Sequence, residues 1–334
     1  MRAVQVEEFG GPEVLVARDV PEPEVGPGQA LVEVAAANVM YLDTLVRRGW
    51  GLDYFPVTPP YVPGAGVAGR VVRIGPGVDP GWEGATVVAD TGHTDGTPER
   101  PTLPVDGYAE RAVVPQSALV RVPEEVDPRA ALALLHDGPT ALALERAAGF
   151  TPSTTVLVAA AAGGAGTLAV QLARTAGARV IGAARGGAKL ALVRELGAQE
   201  TVDYSEPGWP ERVRALTGGT GVDVVLDGAG GALGAEAFGT LADCGRFVGY
   251  GSAGGSFTEV DTEEAGRRGI EVLGLFDLKQ ADGDRQDALR MVLEMARMGR
   301  ITPHVGLALP LERAAEAHAA LERRAVPGKA LLVP

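Results

Sequence analysis

The sequence predicts a two-domain α/β protein in which a doubly wound parallel sheet follows an irregular β-rich domain. The chain has 334 residues, more than one hydrophobic core usually organises. Up to about residue 125 it breaks into short apolar runs punctuated by Gly and Pro. From Asp127 onward, apolar runs of strand length alternate with stretches of helical period. That βαβ succession builds a parallel sheet with helices on both faces, the Rossmann plan.

In the first part, strands are predicted at Ala3-Val4-Gln5-Val6, Ala30 to Val34, Gly66 to Ile74, Ala85 to Ala89 and Ala109 to Val114. The stretch Asp90 to Pro104 carries turn residues and charges without apolar period and reads as a surface loop. Pro128 is set to start a helix, and Ala130 to Arg146 carries a helical pattern. Strand and helix then alternate: Thr155 to Ala160 (strand), Ala165 to Ala176 (helix), Ala178 to Ala183 (strand), Lys189 to Leu196 (helix), Glu200 to Val202 (strand). Next come helix Trp209 to Thr217, strand Asp223 to Asp227, helix Ala232 to Ala242, and strands Arg246 to Tyr250 and Ile270 to Leu275. Helix Asp284 to Met298 and a terminal strand Ala330 to Val333 would return the chain to the first domain. The expected division is therefore 1–126 with 277–334, and 127–276.

Composition narrows the function classes. A formal net charge of −13 repels polyanions and argues against a nucleic-acid surface. Cys244 is the sole cysteine, which excludes an internal disulfide framework and a zinc site built on several thiolates, and it fits a reducing compartment. The opening MRAVQVEEFGGPE places acidic residues where a signal peptide needs an apolar stretch. The longest apolar run, Val156 to Val170, falls short of the ~18 residues of a membrane span. A cytoplasmic location with no membrane partner is expected.

The strand ending VLVAA runs into Ala161-Ala162-Gly163-Gly164-Ala165-Gly166 and then a helix, the order of a dinucleotide site. A tight turn is expected at Ala161, close approach of a pyrophosphate at Gly163, and close helix–strand packing at Gly166, with helix N–H groups facing the phosphates. The first glycine of the usual G-x-G-x-x-G is Ala here. At the end of the next strand, Val180 to Lys189 holds no carboxylate to bind a ribose 2′-hydroxyl. Arg185 and Lys189 are placed to neutralise a 2′-phosphate instead, which selects NADPH. The later strand ends, at Asp227-Gly228 and at Gly249-Tyr250-Gly251-Ser252, are the natural walls for ribose and nicotinamide.

These residues, with several further segments, resemble the zinc-independent quinone oxidoreductases, the zeta-crystallin-like branch of the medium-chain dehydrogenase/reductase superfamily. The likeness covers nearly the whole chain: Phe9 to Leu15, Asn38 to Asp43 before Arg47-Arg48-Gly49, Pro63 to Gly69 before Gly75, and Gly107-Tyr108-Ala109-Glu110. It continues through Gly138-Pro139-Thr140-Ala141, the AAAGGAG turn, Gly197-Ala198 leading to Asp203-Tyr204, and Gly328-Lys329-Ala330-Leu331-Leu332. The resemblance implies a discontinuous GroES-like substrate domain. It also implies Thr140 and the Asn38 region near the nicotinamide, Tyr204 beside Arg185 and Lys189, and Lys329 among the cofactor contacts. Three departures stand out. The family's Asn-x-x-Asp is stretched to Asn38 and Asp43, its Gly-Asp-Arg-Val reads Gly84-Ala85-Thr86-Val87, and the loop Asp90 to Pro104 is longer than typical.

Zinc-using relatives keep a catalytic Cys and a Gly-His-Glu segment, where this chain has Pro63-Gly64-Ala65. Without those ligands no metal site is expected; His93, His136, His304 and His318 show no ligand spacing. Lacking a metal electrophile, the site suits a quinone or α,β-unsaturated carbonyl, in which hydride addition leaves a delocalised enolate or phenolate. Tyr54 and Tyr41 are the candidates for its protonation; otherwise solvent supplies the proton. Asp43 is placed either to orient Asn38 or the ring amide, or to cap a helix from Thr44 to Arg48. An enoyl-thioester reductase and a low-turnover NADPH-binding interaction protein are the competing readings. The apolar strands Arg246 to Tyr250 and Ile270 to Leu275 would form an open sheet edge, from which a homodimer is expected.

Overall fold

The computed structural model describes residues 1–92, 103–281 and 285–334, so most of the predicted loop Asp90 to Pro104 lies outside the described residues. The chain forms two units, Met1–Leu135 with Leu289–Pro334, and His136–Ala288.

In the first unit the strands are β1 (Arg2–Val6), β2 (Leu15–Asp19), β3 (Gln29–Val39), β4 (Gly66–Ile74), β5 (Thr86–Asp90), β6 (Arg111–Pro115) and β7 (Val120–Arg121). Helices α1 (Tyr41–Arg47) and α2 (Pro128–Leu134) belong to the same stretch. The second unit contains α3 (Asp137–Ala148), β8 (Thr155–Ala159), α4 (Gly164–Thr175), β9 (Arg179–Ala184), α5 (Gly187–Glu195), β10 (Glu200–Asp203) and α6 (Trp209–Leu216). It continues with β11 (Val222–Asp227), α7 (Gly231–Phe238), β12 (Leu241–Gly249), α8 (Thr262–Arg268), β13 (Glu271–Gly274) and α9 (Leu275–Ala281). The division falls within α10 (Arg285–Arg297), after which β14 (Val305–Pro310), α11 (Ala314–Glu322) and β15 (Lys329–Val333) complete the first unit.

The first unit holds a β-sheet in the order β14-β15-β3-β4-β5-β7, with β6 also on β3, and a separate two-stranded sheet of β1 and β2. The C-terminal strand β15 thus lies between β14 and β3, pairing Leu331 with Asn38 and Ala330 with Val39. Alternation along these strands turns Val4, Val32, Val67, Val87, Val114 and Leu332 into one core with Leu119 and Leu311. The second unit is a parallel sheet in the order β10-β9-β8-β11-β12-β13. Its central strands are buried on both faces, with separate apolar clusters around Val156, Val158 and Leu226 on one side and Leu157, Ile181 and Phe247 on the other. Strand order reverses between β8 and β11, and in an open parallel sheet the carboxyl ends at such a switch point form the crevice that takes ligands.

The unit boundary lies at Leu135/His136 and Ala288/Leu289, where the sequence pattern places it at 126/127 and 276/277. Helix α2 packs on β3, β4 and β5 and so joins the first unit, while α9 packs on α3 and β13 of the second. The single helix expected over Ala130 to Arg146 is two, α2 and α3. Pro139 explains the break, since in a continuous helix its ring would meet the carbonyl of Leu135. The helix expected over Ala232 to Ala242 ends at Phe238. The Thr240 hydroxyl turns back to the Ala237 carbonyl at 2.7 Å, and Leu241 already pairs with Val222 as the start of β12. No helix among the described residues is long and apolar enough to cross a membrane.

Candidate functional site

At the crevice of the second unit, β8 runs into a turn whose tight point is Ala160, with φ at +58°, one residue before the expected Ala161. Gly163 then caps α4, and its N–H reaches back to the Ala160 carbonyl at 2.8 Å. A Cβ on Gly166 would sit 2.5 Å from the same carbonyl oxygen, so only glycine lets the helix start this close to the strand. Ala162 is buried, while Gly163, Gly164 and Ala165 are half-buried at the rim. The first N–H groups of α4, which have no intrahelical carbonyl to reach, therefore open toward the crevice, as a pyrophosphate requires. The residues present fit a dinucleotide here.

Arg185 is exposed at the end of β9, and Lys189 lies in the first turn of α5. The Tyr204 N–H donates to the Ala184 carbonyl at 3.3 Å, which brings Tyr204 beside that same strand end. Its ring packs edge-on against Trp209, with centroids 6.4 Å apart. The sequence pattern missed one group: Asp203, at the end of β10, accepts from the Gly186 N–H at 2.8 Å and from Ser205 N–H and hydroxyl at 2.9 and 2.5 Å. Burial pushes its carboxyl upward, but these hydrogen bonds and the Arg185 guanidinium bring it net below the usual range. Its oxygens are engaged by the turn, so the acid steadies Gly186.

Asp227, expected among the cofactor contacts, has its side chain committed to the fold. It is fully buried; one oxygen accepts from Ala229 and Gly230 N–H at 2.9 and 3.0 Å and the other from the Thr258 hydroxyl at 2.6 Å. Its carbonyl accepts from Tyr250 and Gly251 N–H, which joins the ends of β11 and β12. Gly249 ends β12, and the Ser252 carbonyl accepts from Gly255 N–H at 2.9 Å. A Cβ on Gly228 would meet the Tyr250 hydroxyl at 2.5 Å, so the phenol lies over that turn. Burial first, then Asp227, Asp137 and Tyr204, raises the Tyr250 phenol above its usual range. Thr140, in the first turns of α3, donates its hydroxyl to the His136 carbonyl at 2.8 Å.

The first unit gathers a different set of groups. Asn38, Asp43, Arg47, Tyr108 and His318 are all essentially excluded from water. Arg47 donates from Nε to the Gly10 carbonyl at 3.1 Å and from Nη2 to Glu322, which also receives Arg48 at 2.9 Å. Its Nη1 lies 3.1 Å from His318 Nδ1. A guanidinium only donates, so Nδ1 accepts and the imidazole proton sits on Nε2. That proton faces the Tyr108 oxygen at 2.9 Å, and the Tyr108 hydroxyl donates in turn to Asp43 Oδ2 at 2.9 Å. The chain of donors thus runs in one direction, from Arg47 to Asp43.

Asp43 is the third residue of α1, and Oδ2 also accepts the Met40 N–H at 2.8 Å. It therefore supplies the acid half of a capping box from inside the helix, holding the Met40 N–H, and is not the N-cap that the residue pattern allowed. Its Oδ1 is buried without a hydrogen-bond partner among the described residues. Burial pushes the carboxyl up to about 7, against the Met40, Tyr108 and Lys329 groups that hold it down. Lys329, expected at the cofactor, is buried at the start of β15 in this unit and lies within electrostatic reach of Asp43. Burial and Arg47 press His318 down to about 3, keeping it neutral. Tyr41 is the first residue of α1, and Tyr54 stands 70% exposed in the following turn, apart from the buried chain. Among the described residues, no three His, Cys, Asp or Glu side chains are grouped to hold a metal ion.

Family models match both parts of the chain, the alcohol dehydrogenase GroES-like domain over residues 26–124 and the zinc-binding dehydrogenase over residues 164–294. A quinone oxidoreductase of Pseudomonas aeruginosa is 30% identical over 345 residues, spanning 100% of this chain and 99% of its own length. The chain belongs to the quinone oxidoreductase group of the medium-chain dehydrogenase/reductase superfamily. Within this group, the structure of Escherichia coli quinone oxidoreductase complexed with NADPH superposes with a TM-score of 0.87 at 27% identity, covering all of both chains. A 2-haloacrylate reductase of a Burkholderia species is 32% identical, covering 99% of this chain and 98% of its own. The GroES-like match and the superposition agree with the β-rich first unit and the Rossmann second unit of this oxidoreductase.

Proposed function

We propose that the chain is an NADPH-dependent oxidoreductase that reduces a quinone or another conjugated carbonyl without zinc. The observation that carries this is the crevice of the second unit, where the glycine turn of α4 meets Arg185 and Tyr204 at the ends of β9 and β10. The NADPH bound to the Escherichia coli relative supports the cofactor, and the haloacrylate-reducing relative supports a conjugated acceptor. NADPH, when bound, supplies the hydride. The α4 N–H groups would hold its pyrophosphate and Arg185 and Lys189 its 2′-phosphate, with the backbone at Gly249, Gly251 and Ser252 walling the crevice.

In the first unit, Asp43 acts as a positioning residue, because both groups facing Oδ2 fasten it in place. The candidates for proton supply are Tyr54, whose phenol is exposed to solvent, Tyr41 at the start of α1, and solvent itself. Zinc independence rests on Pro63-Gly64-Ala65 in place of Gly-His-Glu and on Cys244 as the sole thiol.

The assembly reading is a homodimer across the β13 edge. Val272 of that edge strand is 40% exposed and Phe276, just beyond it, 70%, which leaves apolar surface at the sheet edge. NADPH oxidation with 9,10-phenanthrenequinone, crotonyl-CoA and a simple ketone tests the reaction, together with elemental analysis. Turnover is expected with the quinone or the enone and not with the ketone. Tightly bound zinc with chelator-sensitive ketone reduction would overturn the reading.

A further inference from the structure

Helix α3 begins at Asp137, a position that its own dipole favours for an acid. The carboxylate also reaches a second helix. A Cβ built on Gly164, the first residue of the 12-residue α4, would lie 1.9 Å from Asp137 Oδ2 and 2.7 Å from its Cγ. The acid therefore fills the space that a side chain at Gly164 would need, against the helix terminus that serves the cofactor. Asp137 and Thr140 are three residues apart on α3 and so share one face of it. Asp137 also contributes to holding the Tyr250 phenol protonated, which places its charge within reach of the neighbouring strand end.

We propose that Asp137 is a built-in competitor for the cofactor's pyrophosphate, weakening dinucleotide binding and so speeding its release. This rests on the cofactor reading above. The same N–H groups and the same helix dipole favour both anions, and two like charges a few ångströms apart repel in a partly dry site. In the free protein the Asp137 carboxylate lies beside the first turn of α4. In the complex it opposes the pyrophosphate.

The test is the binding of NADPH, NADH and ADP-ribose, by calorimetry or ligand fluorescence, to wild type, Asp137→Asn and Asp137→Ser. The three ligands share the pyrophosphate, so all three should tighten by a similar factor, on the order of tenfold, with slower dissociation and a smaller gain at high salt. Binding of 2′-AMP, which has no pyrophosphate, should stay as it is. The serine variant guards against an asparagine that keeps the carboxylate's hydrogen bonds. Affinity unchanged or weakened in both variants, with a lower Tm, would show Asp137 to be only a tether between α3 and α4 and would overturn the proposal. Tightening for NADPH alone would overturn it as well, by pointing to the 2′-phosphate. A wild-type chain that binds none of the three would instead fail the cofactor reading itself, and this inference with it.

Discussion

The buried chain from Arg47 to Asp43 makes a prediction about pH that only a pair of variants reveals. The Asp43 carboxyl is raised from 3.8 to about 7 in the fold, so its proton is retained by the native state where the unfolded chain has lost it. Stability from this group is complete below about pH 4 and is lost as pH rises through 7, at about 1.4 kcal/mol per pH unit, or about 4 kcal/mol in all. His318 has the opposite sign. Its value falls from 6.5 to about 3, so its contribution is complete above about pH 6.5 and is lost as pH falls. Between roughly pH 4 and pH 6.5 the two slopes cancel, and the wild type should show little of either.

Asp43→Asn removes one of them. Native-state hydrogen exchange of β3 and β15 amides reads the stability of the first unit, and comparison of wild type with variant at the same pH cancels the intrinsic exchange chemistry. The wild type's advantage over Asp43→Asn should shrink by about 3 kcal/mol between about pH 4.5 and about pH 7. His318→Gln should do the reverse, with the wild type's advantage growing over the same range. Differences that stay within about 1 kcal/mol for both variants would refute the reasoning, because neither group would then be held away from its ordinary value.

Three further outcomes follow from the second unit. Arg185→Ala should raise KM for NADPH by about ten- to a hundredfold, the loss of a charge-assisted contact, while leaving NADH use nearly unchanged; equal loss for both would remove Arg185 from the 2′-phosphate. Gly166→Ala places a methyl 2.5 Å from the Ala160 carbonyl, so thermal unfolding should show a loss of about 1–3 kcal/mol despite alanine's better helix propensity. Val272→Pro removes a donor from the exposed edge strand β13, and light scattering should show dimer converted to monomer; a wild type that is monomeric at micromolar concentration ends that assembly.

The parts of the molecule governed by local rules could be read directly from the order of its residues. The second unit was legible because each strand and helix there carries its own period, and because the turn at Gly163, Gly164 and Gly166 reflects backbone needs that only small residues meet. Even there, the break between α2 and α3 needed Pro139 to be weighed against the apolar pattern, and the tight point of the turn fell on Ala160. The groups that burial assembles from distant positions became visible only in the folded chain. Arg47 and His318 are 271 residues apart, and Tyr108 and Asp43 are 65 apart. His318 read as a scattered histidine, and Arg47 and Tyr108 as family markers, since no periodicity links them. Their roles come from the insertion of β15 beside β3 and the packing of α11 against α1, which remove water from five polar side chains at once. Once water is gone each donor must find an acceptor, and the guanidinium, which cannot accept, sets the direction of every bond that follows. Asp203 and Asp137 tell the same story in the second unit: one read as part of a family segment and the other as an ordinary acid, and only the fold brings the first to Gly186 and the second to Gly164.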